Sequence, residues 1–311
     1  MTTGQRDQPY RGRLAPSPTG SLHVGIARTS LVAWLRARAA GGQLAMRVED
    51  LDPPRVRPGA AEAIAEDLRW LGLDWDEGPA VGGAHAPYTQ SERGDHYARV
   101  LSQLRDAGLL FECSCSRREV AEASSAPHGD LGPRYPGTCR DGATQPARPT
   151  CLRFRMPAGG GFTDGVHGEV AASPADDFIV RRADGLFAYQ LAVVVDDIAM
   201  GITEVVRGDD LLSSTPRQLA LYEALGAPPP AFAHVPLVLG EDGKRLAKRH
   251  GAIAIADNRD AGCSPERMVG MLASSLGLVA EGVEVTAADL VATFDLGRLP
   301  KTPTTWTHRP Q

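Results

Sequence analysis

A proline- and glycine-rich loop at residues 16–25 constrains the fold of this chain more than any other segment. It reads Pro-Ser-Pro-Thr-Gly-Ser-Leu-His-Val-Gly, and it joins a short strand pattern ending at Ala15 to an apolar helical pattern. Proline restricts the path of such a loop, and glycine lets a ligand approach the backbone closely. Because the first N–H groups of the next helix face the loop, the arrangement predicts a phosphate-binding site. Taken alone, the segment is equally compatible with an ordinary turn before a helix.

The segments after the loop predict a β-α-β unit and therefore an α/β fold. A helix is expected from about residue 25 to 40, ended by Gly41-Gly42, followed by a strand from 44 to 48. Glu49 and Asp50 stand at the carboxyl end of that strand, the edge at which open α/β sheets bind ligands.

Periodicity and capping residues predict further elements. Helices are expected over 59–71 and 92–107, from an N-cap at Thr215 to about Gly226, and after caps at Ser264 and Thr286. Strands are expected over 151–156, 178–182, 186–195, 203–206 and 235–239, with Ala183-Asp184-Gly185 as a hairpin turn between the second and third. The last ten residues, rich in proline and threonine, are expected to be poorly ordered.

Charge and polarity exclude some classes of function. A net charge of −5 over 311 residues argues against indiscriminate nucleic-acid binding, although arginine pairs such as Arg117-Arg118 can form a local basic face. No apolar run reaches the length of a membrane span, and the first ten residues are polar. We therefore expect a cytoplasmic protein with no signal peptide and no membrane partner.

Three clustered cysteines raise the question of a metal site. Cys113, Cys115 and Cys139 lie in a segment, 111–157, that has little periodicity and much cysteine, proline, glycine and arginine. A metal ion is a good physical reason for a long irregular segment in a compact domain. Zinc prefers four ligands, so three thiolates leave one place, for which the spacing alone allows Cys151 or His128. Three buried free cysteines are the alternative.

Two later segments carry candidate ligand-binding residues. Lys248 lies in a basic run after a turn, where a lysine can neutralise charge on a triphosphate, although such a run is also typical of a solvated turn. Arg207 follows a strand and precedes a helix, where a guanidinium can bind a carboxylate through two hydrogen bonds. The acidic pairs Asp196-Asp197 and Asp209-Asp210 are assigned to turns and caps rather than to metal.

These segments together resemble the class I aminoacyl-tRNA synthetases in their glutamyl version. The loop resembles their His-x-Gly-His signature, with Ile26 in the fourth place, and Val205 to Gln218 closely resembles their Arg-Gly-x-Asp-Leu-Leu-x-Ser-Thr-Pro-Arg-Gln run. The basic run resembles their Lys-Met-Ser-Lys-Ser loop, with Arg245 replacing the first lysine and Ala247 the serine. The resemblance extends from Arg11 to about residue 303.

The resemblance implies a fold and its division. It implies a Rossmann-like nucleotide-binding domain, an inserted zinc-containing acceptor-type subdomain and a short helical C-terminal part, without an anticodon-binding domain. We place the divisions at 1–108, 109–190, 191–240 and 241–311.

The resemblance also implies roles in activating glutamate with ATP. Arg13 and Arg207 would hold the side-chain carboxylate of glutamate, and Glu49 would pair with its α-ammonium. The other implied contacts are Ala15, Ser17 and Tyr189 for glutamate, His23 and Gly25 for ATP, and Lys248 for the ATP phosphates, with His23 and Lys248 as the catalytic pair. Catalysis would rest on positioning and charge stabilisation, with Mg²⁺ accompanying ATP. The alternative for Glu49 and the arginines is that they form ion pairs among themselves.

The cysteine pattern and the length resemble one subgroup of the family. Cys-x-Cys followed by Tyr-x-x-x-Cys is similar to the zinc site of its short paralogues, which implies one structural Zn²⁺ held by Cys113, Cys115, Tyr135 and Cys139. These paralogues activate glutamate without tRNA and attach it to the queuosine base in the anticodon of tRNA(Asp). The expected partners are therefore L-glutamate, ATP and queuosine-bearing tRNA(Asp), and the expected state is a monomer. The alternatives are conventional charging of tRNA(Glu) and a catalytically silent paralogue.

Overall fold

The first structural unit is a parallel β-α-β arrangement around the proline-rich loop. The computed structural model describes residues 9–123, 134–172, 176–244, 246 and 254–307. Strand β1 (Arg11–Leu14) pairs in parallel with β2 (Gln43–Met46), and helix α1 (Val24–Ala39) connects them. Gly41, which follows α1, has a φ of 59°, a conformation that glycine adopts without strain. The predicted β-α-β unit is confirmed.

A second parallel pair lies beside the first. Strand β8 (Glu204–Gly208) pairs in parallel with β9 (Ala231–Val235), and α6 (Thr215–Ala224) connects them. The N–H of Thr203, just before β8, donates to the carbonyl of Arg11 at 2.8 Å, which joins this pair to β1. The chain between the two pairs adds an antiparallel sheet of β3 (Leu110–Cys113), β4 (Cys151–Phe154) and β7 (Phe178–Arg181).

A short hairpin extends the second pair. Strands β5 (Phe162–Asp164) and β6 (Gly168–Val170) pair antiparallel, and β5 continues in parallel onto β9, with Asp164 opposite Phe232. This register brings Asp164 next to His234, with consequences for the site.

The remaining helices and strands surround or extend these sheets. They are α2 (Ala60–Trp70), α3 (Gly94–Asp106), α4 (Arg117–Ala123), α5 (Tyr189–Ala199), α7 (Ile255–Asp260), α8 (Pro265–Ser275), α9 (Ala287–Leu290), β10 (Val238–Leu239) and β11 (Thr304–Thr305). Two of the three predicted caps are confirmed: the hydroxyl of Ser264 accepts from the N–H of Arg267, and Thr286 forms a capping box with Asp289. In the described part of the chain, no helix has both the length and the apolar character needed to span a membrane.

The predicted strand over 186–195 is wrong, because this segment starts helix α5. Gly185 does close a turn onto Arg182, and Arg181 bridges Phe187, but the pairing stops there. The apolar run from Leu191 to Val195 is buried on every side, packed against α3, α6 and β7. A continuous apolar run does not distinguish a fully buried helix from a buried strand, and the surrounding helices decide here.

Three further expectations are corrected. Thr215 is the first residue of α6 rather than its N-cap, and its hydroxyl accepts a hydrogen bond from Arg207. The strand expected over 235–239 is divided between β9 and β10, because Pro236 has no N–H to donate to a ladder. Poor order near the C-terminus is wrong for residues 304–306: β11 pairs with β10, and Trp306 is 6% exposed.

Candidate active site

The proline-rich loop is held against the chain segment that follows β2. The N–H of Glu49 donates to the carbonyl of Pro16 at 3.0 Å, and that of Arg57 donates to the carbonyl of Pro18 at 2.9 Å. Ser17, between these two anchors, is exposed, and Ala15 is half-buried. The loop is therefore fixed beside Glu49, with the Ser17 side chain accessible.

His23 stands at the N-cap position of α1, with extended backbone and no side-chain capping bond. Its backbone bridges Ala254, and Ile255 donates to the carbonyl of Leu22 at 2.8 Å. A Cβ at Gly25 would lie 3.4 Å from the His23 ring, in ordinary contact. The backbone N–H groups at the start of α1 and His23 thus lie at one end of this helix.

The basic run falls mostly outside the described residues. This holds for Arg245, Ala247 and Lys248, so the structure does not place the predicted phosphate contact. On one side of the run, the N–H of Gly240 donates to the carbonyl of Lys244 at 2.7 Å. On the other side, the described chain resumes at Ala254, beside His23.

Arg13 and Arg207 are both buried, each with 6% of the residue exposed. The Arg13 guanidinium donates to the carbonyl of Val206 at 2.7 Å, and its Nε lies 3.9 Å from a carboxylate oxygen of Asp197. Within the described chain, this Nε donates no hydrogen bond. Arg13 therefore lies against β8, one residue before Arg207.

Three side chains hold the Arg207 guanidinium in place. Its nitrogens donate to Nε2 of His234 at 3.0 Å, to Oε1 of Gln218 at 2.8 Å and to Oγ1 of Thr215 at 2.8 Å. The guanidinium also lies over the ring of Phe232, 5.3 Å from its centre. Burial lowers the pKa of Arg207, although nearby Tyr189 and Asp197 oppose this.

Glu49 and Tyr189 complete a cluster with these two arginines. Burial raises the pKa of the Glu49 carboxyl, while the guanidinium groups of Arg47 and Arg13 oppose that rise. Burial likewise raises the pKa of the Tyr189 phenol, against the influence of Arg207 and Arg13. The charges of Arg13 and Arg207 thus influence the pKa values of the neighbouring Glu49 carboxyl and Tyr189 phenol.

Arg47, Asp196 and Asp197 are residues of this site that the sequence analysis missed. Arg47 is fully buried and donates to Asp197 at 2.7 Å and to Glu49 at 3.0 Å. Asp196 accepts from Arg93 at 2.6 Å, so the turn-and-cap assignment of the pair Asp196-Asp197 is wrong. Both acids lie in α5 and neutralise buried arginines. A charged pair inside an otherwise apolar run was the available signal.

The neighbours of Arg207 were also missed as a group. Asp164 and His234 were not singled out, because neither lies in a recognisable motif. From the sequence, Gln218 is predicted only as part of the Arg207 motif, and Thr215 as part of that motif and as an N-cap. The Asp209 carboxylate accepts from the N–H of Leu237 at 3.0 Å, a contact between residues 28 positions apart rather than the expected turn or cap bond.

The cysteine cluster has the size of a metal site. The Sγ atoms of Cys113, Cys115 and Cys139 all lie within 4.8 Å of one another. Tetrahedral zinc with Zn–S bonds of about 2.3 Å separates its sulfurs by about 3.8 Å, so the spacing fits. The Tyr135 hydroxyl lies 3.4 Å from Sγ of Cys113 and accepts from the N–H of Cys139 at 2.8 Å. Thiols and a phenol are suitable donors for zinc.

The structure gives a position relative to the thiol cluster for Cys151 but not for His128, the two other candidates for the fourth zinc ligand. Cys151 lies opposite Cys113 on the neighbouring strand and its thiol contacts that of Cys113, although it is not one of the three thiols that all lie within 4.8 Å of one another. His128 lies outside the described residues. The Tyr135 oxygen contacts Cys113, and the hydroxyls of Thr144 and Ser114 lie 3.5 Å and 3.8 Å from Sγ of Cys139.

The comparisons with known proteins identify the family. Residues 10–305 match the model of the class I tRNA synthetases (E and Q), catalytic domain. The chain belongs to this family of ligases. It is 53% identical, over an alignment of 309 positions, to a glutamyl-Q tRNA(Asp) synthetase of Symbiobacterium thermophilum, and the match covers 94% of each chain. The resemblance drawn from the motifs is confirmed.

Longer relatives and a solved structure agree with this membership. A glutamate–tRNA ligase of Anaeromyxobacter sp. strain K is 48% identical over an alignment of 297 positions, and the match covers 93% of this chain and 62% of that protein. The crystal structure of a glutamate tRNA ligase from Elizabethkingia meningosepticum, in complex with its amino acid, superposes with a TM-score of 0.83 at 30% identity. The match covers 96% of this chain and 67% of that one. The mixed α/β catalytic fold of class I synthetases is therefore shown.

Proposed function

We propose that this protein activates L-glutamate with ATP in the absence of tRNA and transfers the glutamyl group to queuosine in the anticodon of tRNA(Asp). The observation that carries the proposal is the match with glutamyl-Q tRNA(Asp) synthetases over 94% of both chains. The charge arrangement of the site supports the amino acid: two buried arginines and one carboxylate complement a substrate with two carboxylates and one ammonium.

Each residue of the cluster has a role in this proposal. Arg13 and Arg207 bind the side-chain carboxylate of glutamate, and Glu49 pairs with the α-ammonium. The Tyr189 hydroxyl lines the carboxylate end, and Ala15 and Ser17 form the wall contributed by the proline-rich loop. The Arg13 Nε, which donates no hydrogen bond within the described chain, supports a role as a substrate donor.

ATP would lie at the N-terminus of α1. His23 and Gly25 contact the nucleotide there, and Lys248 neutralises the phosphates together with Mg²⁺. An oxygen of the glutamate α-carboxylate attacks the α-phosphorus, the bond to pyrophosphate breaks, and glutamyl-adenylate forms. In the second step a queuosine hydroxyl attacks the activated carbonyl and AMP leaves. The protein contributes positioning and charge stabilisation to both steps.

One structural Zn²⁺ is part of the proposal. Cys113, Cys115, Tyr135 and Cys139 would hold it, as the spacing of the three thiols supports. Zinc in a closed site of this kind contributes folding energy to the segment around it. We further propose a cytoplasmic monomer.

The experiment is ATP–pyrophosphate exchange followed by a charging assay. With L-glutamate and no tRNA, the protein is expected to catalyse exchange, and Arg207→Met to abolish it. Arg118→Met is the matched control, because the Arg118 side chain is 84% exposed and its ion pair in the described chain is with exposed Glu122. Labelled glutamate is then expected on tRNA(Asp) that carries queuosine and not on tRNA(Asp) that lacks it. Absence of exchange would refute glutamate activation, and equal charging of both tRNAs would refute the acceptor.

A second candidate function is conventional charging of tRNA(Glu). The 48% identity to glutamate–tRNA ligases favours testing it. Charging of tRNA(Glu) at its 3′ end, with none of tRNA(Asp), would select this function. The changes at Arg245 and Ala247 point to a catalytically silent paralogue. Such a protein would show neither ATP–pyrophosphate exchange nor charging of either tRNA.

A further inference from the structure

His234 lies buried between a carboxylate and the guanidinium of Arg207. None of this histidine is exposed; its Nδ1 lies 2.6 Å from Oδ2 of Asp164 and its Nε2 lies 3.0 Å from Nε of Arg207. The Nε–H of an arginine only donates, so His234 Nε2 must accept. The single imidazole proton therefore sits on Nδ1, where it is donated to Asp164.

One carboxylate oxygen of Asp164, Oδ2, can accept the hydrogen bond from Nδ1 of His234. Its Oδ1 accepts from the backbone N–H groups of Val166 and His167 at 2.9 Å each, and from that of His234 at 3.3 Å. Its Oδ2 faces Nδ1 of His234. These donors lower the pKa of Asp164 to about 2 against the effect of burial, so the carboxylate stays ionised. Burial lowers the pKa of His234, which stays neutral.

This tautomer completes the set of acceptors around Arg207. His234 accepts from Nε, Gln218 from Nη1, and Thr215 from Nη2, which also donates to the carbonyl of Leu211 at 3.4 Å. Three anchors on a planar group fix both its position and its plane. Of the five N–H bonds in a guanidinium, these contacts leave the second N–H of Nη1 available to a carboxylate in the site.

We infer that Asp164 and His234 are positioning residues for substrate recognition. Asp164 fixes the His234 tautomer, and His234 in turn fixes the guanidinium plane in which Arg207 meets the side-chain carboxylate of the amino acid. The inference rests on the proposed function, in which Arg207 binds that carboxylate.

Asp164→Asn is the sharpest test because it keeps the shape of the side chain. The two 2.9 Å backbone donors require an acceptor at Oδ1, so the amide NH2 must take the Oδ2 place and face Nδ1. His234 then accepts at Nδ1 and carries its proton on Nε2, against the Arg207 Nε–H. In glutamate-dependent exchange, the KM for glutamate is expected to rise about 10- to 100-fold, the range for a hydrogen bond to a charged group. The KM for ATP is expected to stay unchanged.

Two substitutions of His234 test its hydrogen bond to Asp164 and its hydrogen bond from Arg207 separately. In His234→Gln the amide oxygen can accept near the Nε2 position, so the KM for glutamate is expected to stay within a few-fold of wild type. In His234→Asn the amide can still donate to Asp164 but does not reach Arg207, so the KM is expected to rise as in Asp164→Asn. Glu169→Gln, an exposed change on β6, is the matched control. Equal KM values for His234→Asn and wild type would overturn the inference.

A measurement without substrate distinguishes failure of this inference from failure of the proposed function. In ¹⁵N-histidine NMR, with His234→Gln used to assign the signals, wild type is expected to show a protonated Nδ1 and a bare Nε2. Asp164→Asn is expected to reverse them. A wild-type Nε2–H would refute the inference whatever the activity. Absence of exchange in wild type, with the expected NMR signals, would refute only the proposed function.

Discussion

Buried charges around Glu49 balance each other residue by residue. Three arginines, Arg13, Arg47 and Arg93, face three acids, Glu49, Asp196 and Asp197, at the distances described above. Such groups are tolerated away from water because each has a partner of opposite charge. The same pairing holds Glu49 in place at the edge of the proposed substrate site.

Arg47→Met is expected to destabilise the protein strongly. The change leaves Asp197 and Glu49 buried without their shared partner, which typically costs about 3–5 kcal/mol. Urea unfolding, monitored by circular dichroism, measures the change in the free energy of unfolding. Arg118→Met, on an exposed pair, is expected to change it by less than about 1 kcal/mol. Equal effects of the two substitutions would contradict the account of the buried cluster.

Acid is expected to weaken glutamate binding through Glu49. Burial raises the pKa of this carboxyl, so Glu49 gains a proton at a higher pH than an exposed glutamate and loses its attraction for an ammonium. The kcat/KM for glutamate in exchange should therefore fall as the pH drops towards that raised pKa. Glu49→Gln should lower kcat/KM about 100-fold at neutral pH and remove this fall. An unchanged acid limb in Glu49→Gln would assign it to another group.

At the scale of elements, backbone contacts decide how closely neighbouring segments pack. Gly270 in helix α8 has no side chain because the chain at Val283 passes directly over it. A Cβ at this position would overlap the Val283 carbonyl oxygen and lie 3.0 Å from its carbon. This glycine is a packing requirement rather than a break in the helix.

Gly270→Ala is expected to destabilise the protein, although alanine is the better helix former. The helix propensity gain of about 1 kcal/mol is exceeded by the steric cost of overpacking, about 1–3 kcal/mol, with the backbone displacement it requires. Thermal unfolding measures the change. Gly94→Ala in α3, where a Cβ meets nothing within 4 Å, is expected to be neutral or stabilising. A stabilising Gly270→Ala would contradict the close approach.

The segment between β3 and β4 is expected to need its metal. Purified protein should contain about one zinc per chain, and Cys139→Ser should lose it and unfold at a lower temperature. Cys263→Ser, outside the cluster, should keep both zinc and stability. Elemental analysis and differential scanning calorimetry make the comparison. If Cys151→Ser loses zinc while Tyr135→Phe keeps it, the fourth zinc ligand is Cys151 and not Tyr135.

At the scale of the whole molecule, Arg28 joins helix α1 to helix α8 and to the segment before β10. Arg28 in α1 donates to the carbonyls of Pro236, just before β10, and of Ser275 at the end of α8. Residues 304–306 return to β10, where Trp306 donates to Leu239 at 2.8 Å and is buried in the same core as α1. The C-terminal segment therefore stabilises the strand that precedes the basic run.

Trp306→Ala is expected to lower the free energy of unfolding by about 3–5 kcal/mol, the usual cost of removing a buried aromatic side chain. Urea unfolding measures the loss. Thr307→Ala, at the next and exposed position, is expected to change the free energy by less than about 0.5 kcal/mol. A loss near zero for Trp306→Ala would indicate that the end of the chain leaves the core in solution.

Much of the fold and of the candidate site could be predicted from local patterns. The β-α-β unit followed from a strand, a glycine-terminated helix and a second strand, and the caps at Ser264 and Thr286 followed from residue type. Arg13, Glu49 and Arg207 were recognisable because they stand in or beside motifs at strand ends. By contrast, the apolar run in helix α5 predicts a strand, because such a run is compatible with both a buried strand and a buried helix.

By itself, the sequence determined the segments whose interactions are short-range: helix periods, caps, turns and the cysteine spacing that predicts the metal cluster. Only the tertiary structure decided which distant charges meet. Arg47 and Asp197 are 150 positions apart, and Asp164 and His234 are 70 apart. Their contacts depend on the packing of α5 and on the register of β5 against β9. That register depends on how the whole core packs, so no local pattern encodes the orientation of Arg207.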